Sequence, residues 1–272
     1  MKTGKYANAN VYLIGGSSGI GLAAAKEFSS LGADVIIFGR TEKRLQEACT
    51  AIAGCRLSDS QRFDGRTLDI AVEKDVQSVL PEAVAAFGVP HIVVNCAGRA
   101  YPGYFPAITG HQLRETLAVN FCGMWYCLQA LLPHMRETGG RIVNVSSMAG
   151  FMGIFGFTDY CASKFAVIGF SEALRSELRP CGIHVSVLCP PDTDTPGFQV
   201  ENQTKPVETE RISGNIKPMS AQDVARAMVA GMEKGKFIII PGGEGKMVFL
   251  LKRLFPGLLT WIMDRKVAPR NP

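Results

Sequence analysis

The sequence predicts an α/β fold in which helices cover both faces of a parallel, doubly wound β-sheet. Three observations support it. A short apolar run leads directly into a glycine-rich turn and a helical pattern, strand and helix patterns alternate along the chain, and the 272 residues suit one domain of ordinary size. We therefore expect a single Rossmann-like domain over residues 1–243, followed by an apolar and basic helical extension over residues 244–272.

The first strand and the turn after it predict a nucleotide site. The apolar run Val11–Ile14 is typical of a buried parallel strand, and the helical pattern Leu22–Leu31 follows the turn. Glycines let the backbone approach a pyrophosphate, and free N–H groups at a helix start favour its negative charge. A purely structural turn is the alternative, but the flanking strand and helix favour dinucleotide binding. The expected contacts are Gly15, Ser17, Ser18, Gly19, Ile20 and Gly21.

The end of the second strand indicates which cofactor binds. The strand Asp34–Gly39 is followed by Arg40, at a position where an NAD-dependent protein usually carries an acidic residue for the ribose hydroxyl. An arginine suits the 2′-phosphate of NADPH. Ser17 and Arg44 are further candidates for this phosphate, although Arg44 is equally well explained as a solvated helix residue. We therefore expect NADPH rather than NADH.

Ser147, Tyr160 and Lys164 have the spacing of a carbonyl-reducing site. Tyr160 and Lys164 are four residues apart, which places both on one face of a helix, and Ser147 precedes them. An ammonium group beneath a phenol lowers a pKa that is normally about 10. We expect this effect to bring the pKa of Tyr160 toward neutrality, so that the phenol delivers a proton as a ketone is reduced. A Tyr-x-x-x-Lys pair alone is more often an ordinary surface pair, and the upstream glycine-rich turn is what favours catalysis.

With these motifs in place, the chain resembles the short-chain dehydrogenase/reductase family over nearly its whole length. Asp69 stands where the family contacts the adenine ring, and Asn95–Gly98 resembles its Asn-Asn-Ala-Gly turn. The resemblance implies further cofactor contacts from Asp69, Asn95, Ala97, Gly98, Tyr160, Lys164, Pro190 and Thr193. Ile14 replaces the family's threonine and Cys96 its second asparagine, and we expect these changes to alter stability or affinity rather than chemistry.

The same resemblance implies a role for each catalytic residue. Ser147 orients the carbonyl, and Tyr160 is the acid and base. Lys164 contacts the nicotinamide ribose and tunes Tyr160. Asn120 matches the asparagine that holds a water molecule in the family's proton relay.

A proline-containing segment that begins at Pro190 carries the signal for the substrate. The run Pro190–Phe198 has two prolines where the family usually has Pro-Gly, and it resembles the loop of 3-ketodihydrosphingosine reductases. That resemblance implies NADPH-dependent reduction of 3-ketodihydrosphingosine, a long-chain sphingoid ketone, to dihydrosphingosine. We expect a substrate loop over residues 191–220, with Asp192, Asp194 or Glu201 facing the substrate amine unless each is a solvated loop residue.

Two other functions remain open. A reductase for another bulky lipid carbonyl, such as a steroid or retinoid, would share every catalytic residue. A catalytically inactive NADP-binding scaffold or sensor would be expected to lack the tyrosine or the lysine, and this chain has both Tyr160 and Lys164.

The composition argues against metal and nucleic acid. The eight cysteines and four histidines are scattered, with no close pair at metal-ligand spacing, so we expect reduced thiols and no metal site. Outside the extension the charge is close to neutral, which offers no surface for a phosphate backbone. No signal peptide is recognisable, so we expect a cytoplasmic, membrane-associated protein, at the cytosolic face of the endoplasmic reticulum if the source is eukaryotic. The resemblance implies a homodimer or homotetramer paired through helices near residues 110–135 and 160–180.

Residues from Glu244 onward combine apolar runs with positive charge. They include six basic residues and two acidic ones, which supply four of the chain's five net positive charges. The basic residues are Lys246, Lys252, Arg253, Arg265, Lys266 and Arg270. Because Lys252, Arg253 and Pro256 interrupt the apolar runs, the segment falls short of the ~20 apolar residues that cross a bilayer. We expect it to lie in a membrane interface with Trp261 at headgroup depth, or else to close the substrate pocket or form an oligomer contact.

Overall fold

The computed structural model describes residues 4–214 and 217–267, and Arg270 of the extension lies outside them. The strands are β1 (Asn10–Ile14), β2 (Asp34–Gly39), β3 (Phe63–Thr67), β4 (Ile92–Asn95), β5 (Gly140–Val145), β6 (Ile183–Leu188), β7 (Thr193–Asp194), β8 (Met219–Ser220) and β9 (Ile238–Ile239). The α-helices are α1 (Gly19–Ser30), α2 (Glu42–Ala53), α3 (Glu73–Phe87), α4 (Gly110–Leu117), α5 (Gly123–Met135), α6 (Thr158–Leu178), α7 (Pro196–Glu201), α8 (Val207–Ser213), α9 (Ala221–Glu233), α10 (Gly243–Leu254) and α11 (Pro256–Val267).

Seven strands form one parallel sheet in the order β3-β2-β1-β4-β5-β6-β9. The order reverses between β1 and β4, which lie side by side although they are far apart in sequence. In open α/β sheets such a reversal leaves a crevice at the carboxyl ends of the strands, and ligands bind there. The predicted doubly wound parallel sheet is confirmed.

Side chains of the central strands β1, β2, β4 and β5 alternate between two apolar cores. In β1, Val11 and Leu13 pack with residues of α1, α2 and α9 on one face of the sheet. Tyr12 and Ile14 pack with residues of α3, α5 and α6 on the other face. Because both faces are covered, a strand such as β1 is largely apolar, and all five of its residues are buried. The polar residue at its start, Asn10, donates a hydrogen bond to the Val89 carbonyl.

The first two strands lie where the sequence predicts them, but α1 begins earlier than its apolar pattern. It starts at Gly19 rather than Leu22, after Ser18 in extended backbone. Gly19 and Gly21 therefore lie in the first turn of the helix, where their lack of a Cβ matters more than their weak helix propensity.

The C-terminal extension consists of two helices that break before Pro256, as that proline requires. The ring of Phe249 on α10 packs edge-on against Phe151, with centroids 5.1 Å apart. On α11, Lys266 donates a hydrogen bond to the Ile212 carbonyl of α8. None of the helices in the described ranges is both long and apolar enough to cross a membrane.

Candidate active site

One pocket opens along the carboxyl ends of β1, β2, β4, β5 and β6. Most residues predicted for the site line it: Gly15, Ser17, Ser18, Gly19, Ile20, Arg40, Arg44, Asp69, Ala97, Gly98, Ser147, Tyr160, Lys164, Pro190 and Thr193. Each follows a strand or lies near the start of a helix, so the parallel sheet brings residues distant in sequence to one edge.

The turn after β1 can accept a pyrophosphate. Gly15 has a φ of +88°, and a Cβ there would lie 2.6 Å from the Ala97 nitrogen. Gly21 does not line the pocket, but its α-hydrogen faces the Gly15 carbonyl oxygen, which a Cβ would overlap. Ser18, the N-cap of α1, makes no side-chain capping bond among the described residues. The first N–H groups of α1 therefore remain free for an anionic ligand.

Positive charge collects at the end of the pocket formed by β2. Arg40 and Arg44 are both exposed pocket residues, and neither side chain forms an ion pair within residues 4–214 and 217–267. Ser17 lies beside the backbone at Gly39, its Oγ 3.2 Å from where a Cβ would project. Asp69 lines the same region, and its Oδ1 accepts a hydrogen bond of 3.0 Å from the Ala71 N–H. These residues fit a ribose that carries a 2′-phosphate.

The opposite end of the pocket holds Ser147, Tyr160 and Lys164. Ser147 follows β5, and its Oγ accepts a hydrogen bond of 3.1 Å from the Ala149 N–H. Tyr160 and Lys164 are one turn apart on α6, with the ammonium nitrogen 5.5 Å from the centre of the phenol ring. Lys164 is 4% exposed, and its Nζ donates a hydrogen bond of 2.9 Å to the Val145 carbonyl.

The electrostatics of Tyr160 differ from the expectation that Lys164 brings its pKa toward neutrality. Burial and the Glu201 carboxylate raise the pKa of Tyr160, and Ser147 opposes them only in part. Burial also lowers the pKa of Lys164 to about 8. The expectation is wrong for the chain by itself because desolvation of the phenol outweighs the effect of an ammonium group hydrogen-bonded elsewhere. The phenol keeps its proton at neutral pH, which is the form that donates.

Asn120 and Asn95 lie behind the pocket rather than in its wall. Asn120 sits in a π-helical turn before α5, and its Oδ1 accepts a hydrogen bond of 2.8 Å from the Arg99 N–H. Its Nδ2 donates to the Ser163 hydroxyl. Asn95 donates to the Asn144 Oδ1 at 2.8 Å. Asn120 thus braces the backbone at Arg99, whereas Asn95 braces the Asn144 side chain.

Residues from the segment 191–220, predicted to hold the substrate, line the catalytic end of the pocket. The short strands β7 and β8 pair at the two ends of this loop. Glu201 and Lys205 both line the pocket, together with the apolar side chains Phe157 and Phe198. The sequence reading missed Lys205 and Phe157. Phe157 lies three residues before Tyr160, a spacing that gives helical neighbours, whereas no sequence pattern signals the position of Lys205.

The fold and the site together define a dinucleotide-binding α/β protein with a carbonyl-reducing residue set. A sequence model of the family described as short chain dehydrogenase matches residues 9–206. The 3-dehydrosphinganine reductase of Danio rerio is 38% identical over 249 residues, which cover 91% of this chain and 75% of that protein. The chain therefore belongs to the short-chain dehydrogenase family.

Two further relatives are named for different substrates, one for a sphingoid ketone and one for a steroid. The 3-ketodihydrosphingosine reductase of Bos taurus is 37% identical, covering 88% of this chain and 73% of that protein. An 11-beta-hydroxysteroid dehydrogenase-like protein of Arabidopsis thaliana is 31% identical, covering 92% of this chain and 81% of that protein. Among solved structures, levodione reductase superposes with a TM-score of 0.80 at 20% identity, covering 89% of this chain and 99% of that one. The last comparison supports the fold.

Proposed function

We propose that this protein reduces 3-ketodihydrosphingosine to dihydrosphingosine with NADPH. The observation that carries the proposal is the pocket itself, which joins the start of α1 and the two arginines Arg40 and Arg44 to Ser147, Tyr160 and Lys164. Substrate identity is supported by relatives named for this reaction at 37–38% identity over most of the chain.

The residues present fit NADPH. The glycine turn and the start of α1 bind the pyrophosphate, Arg40 and Arg44 bind the 2′-phosphate, and Asp69 contacts the adenine. Ala97, Gly98, Pro190 and Thr193 complete the walls of the nucleotide site. When bound, the nicotinamide supplies a hydride to the carbonyl carbon.

The chain's own residues manage the proton and the charge. The Ser147 hydroxyl donates a hydrogen bond to the substrate carbonyl and orients it. Tyr160, which burial keeps protonated, gives its proton to the carbonyl oxygen as negative charge develops there. Lys164, buried one turn away, stabilises the phenolate that remains. Asn120 supports this arrangement by holding the backbone at Arg99.

The substrate loop provides room for an alkyl chain. Apolar side chains from three segments face the pocket near Tyr160: Ile154, Phe157, Phe198 and Ile212. Such walls bury a hydrocarbon tail, at about 0.8 kcal/mol for each CH₂ group removed from water.

The extension mediates peripheral contact with a membrane, on its cytosolic side. Six large apolar side chains of α10, α11 and the residue between them are 47–66% exposed: Met247, Leu250, Leu254, Phe255, Leu258 and Trp261. Five cations accompany them on the same two helices: Lys246, Lys252, Arg253, Arg265 and Lys266. An exposed apolar surface with flanking cations suits an anionic lipid surface, from which a long-chain ketone would enter.

The protein forms a homodimer or homotetramer through α5 and α6. Trp125 on α5, Phe170 on α6 and Phe121 in the turn before α5 pack against one another, with 5.0 Å between the ring centres of Trp125 and Phe170. Trp125 is 44% exposed and the nearby Phe165 is 46% exposed. An aromatic patch of this kind is typical of the core of a protein interface.

A steroid or another bulky lipid ketone is the second candidate substrate. The relative named as 11-beta-hydroxysteroid dehydrogenase-like supports it. The proposed reaction is tested by following NADPH oxidation with 3-ketodihydrosphingosine in detergent or liposomes, next to a panel of steroid and retinoid ketones. We expect the sphingoid ketone to give the highest kcat/KM. A higher value for a steroid or retinoid ketone would reject the proposed substrate.

A further inference from the structure

Glu201 is the last residue of α7, and its carboxylate faces the catalytic end of the pocket. It lines the same cavity as Ser147, Tyr160 and Lys164. No hydrogen bond or ion pair to this carboxylate is found in the part of the chain that the structure describes. A partly buried carboxylate without a partner costs free energy, which a cationic ligand would recover.

The charges around Glu201 do not balance. The nearby Asp192 is paired with Lys205 at 4.0 Å, and the Lys205 side chain is only 7% exposed. The Lys205 ammonium also lies 4.0 Å from the centre of the Phe198 ring, which holds it in place. Lys205 is thus paired with Asp192, and Glu201 has no ion pair among the described residues.

The other cations of the pocket are engaged elsewhere. Lys164 is hydrogen-bonded to the Val145 carbonyl, and Arg99 is paired with Glu115 at 3.0 Å. Arg40 and Arg44 belong to the nucleotide end of the pocket. The loop end is therefore one positive charge short.

We propose that Glu201 binds the ammonium group of the substrate and thereby selects ketones that carry an amine on the carbon next to the carbonyl. This inference rests on the proposed function and assigns a specificity-determining residue to it. Of the three carboxylates that the sequence leaves open, Asp192 already has a lysine partner. Asp194 is exposed and accepts a hydrogen bond from Gln199.

The chemistry of the reaction supports an ammonium rather than a neutral group. Reduction builds negative charge on the carbonyl oxygen, and a nearby unpaired carboxylate opposes that charge. Glu201 already raises the pKa of Tyr160 in this way. An ammonium group one carbon from the carbonyl would neutralise Glu201 and remove the penalty. A neutral ketone would leave the penalty in place.

The test compares two ketones of equal chain length, 3-ketodihydrosphingosine and the analogue with hydrogen in place of the amino group. We expect Glu201→Gln to lower kcat/KM for the amino ketone by about tenfold or more, the usual effect of losing a hydrogen bond to a charged group. For the analogue, kcat/KM should stay within about twofold or rise. Glu210→Gln is the matched control, since Glu210 is exposed on α8.

Glu201→Asp keeps the charge and should restore part of the preference for the amino ketone. Equal losses on both ketones, or no loss on either, would overturn the role of Glu201 while leaving the proposed reductase function standing. A wild-type protein that reduces neither ketone would reject the proposed function, and this inference with it. Thermal unfolding of each variant shows whether the fold is retained.

Discussion

At the residue scale, the proposed chemistry depends on one phenol. Tyr160→Phe removes the proton donor but keeps the ring that packs beside Phe157. We expect kcat to fall at least about a hundredfold, the lower range for general acid catalysis, while NADPH still binds. Steady-state kinetics and cofactor fluorescence measure the two effects. A variant with near wild-type turnover would remove Tyr160 from the mechanism.

The proposed preference for NADPH over NADH also depends on a single residue, Arg40. Arg40→Asp should repel the 2′-phosphate and accept a ribose hydroxyl instead, shifting the ratio of kcat/KM for NADPH over NADH by at least about tenfold toward NADH. Arg136→Asp, an exposed arginine outside the pocket, is the matched control. An unchanged ratio in Arg40→Asp would place the discrimination at Ser17 and Arg44.

The pH profile follows from two shifted groups. Burial raises the pKa of Glu201 to about 7, so its charge is present above that pH and is lost as the pH falls. Burial lowers the pKa of Lys164 to about 8, so its charge is lost as the pH rises. We expect kcat/KM for the amino ketone to peak between these values, and Glu201→Gln to flatten the acid limb. An acid limb that persists in that variant would exclude Glu201 as its cause.

Sequence patterns predicted that Tyr160 and Lys164 are neighbours, but they did not predict the electrostatic environment of the two side chains. The spacing of Tyr160 and Lys164 correctly predicted neighbours on one helix. It gave no information on desolvation, which depends on how the substrate loop covers the pocket and which reverses the expected pKa shift of Tyr160. The motif around Asn95 likewise did not indicate that its side chain turns inward to Asn144.

At the scale of elements, the proposed membrane contact depends on α10 and α11 of the C-terminal extension. Truncating it would also remove Phe249 from the core contact with Phe151, so point substitutions give a cleaner test. We expect the double substitution Leu250→Asp and Leu254→Asp to abolish sedimentation with anionic liposomes, because it replaces apolar surface with negative charge. Both side chains are more than half exposed, so the substitutions should leave the fold intact.

The matched control for this pair is Val72→Asp, an exposed apolar residue at the start of α3. It should sediment with the liposomes like the wild type. Continued sedimentation of the Leu250 and Leu254 variant would assign the extension to the pocket wall or to an oligomer contact.

The βα unit at the N-terminus was predictable because its signals are local. An apolar run, a glycine turn and an apolar helix face each depend on residues close together in sequence. The observed bounds of β1, β2 and α1 therefore lie within a few residues of the predicted ones. The substrate loop was not, since β7 and β8 have two residues each and form only when distant segments meet. Its two helices, α7 and α8, are too short to show a reliable period.

At the scale of the whole molecule, the doubly wound sheet explains why one pocket collects residues from Gly15 to Ile212. On the outer surface of the molecule, Trp125 on α5 and Phe165 on α6 are partly exposed. We expect Trp125→Glu to lower the molar mass measured by light scattering to that of a monomer, because a buried carboxylate has no partner in an apolar interface. An unchanged mass would exclude this patch as the interface.

The central claim is that this pocket transfers hydride from NADPH to the keto carbon of a sphingoid ketone. The most direct measurement uses NADPH that carries deuterium at both C4 positions of the dihydronicotinamide, together with 3-ketodihydrosphingosine and mass spectrometry of the product. We predict dihydrosphingosine with one deuterium on C3, and none from Tyr160→Phe on the same time scale. Absence of the deuterated alcohol from a folded wild-type protein that binds NADPH would contradict the account.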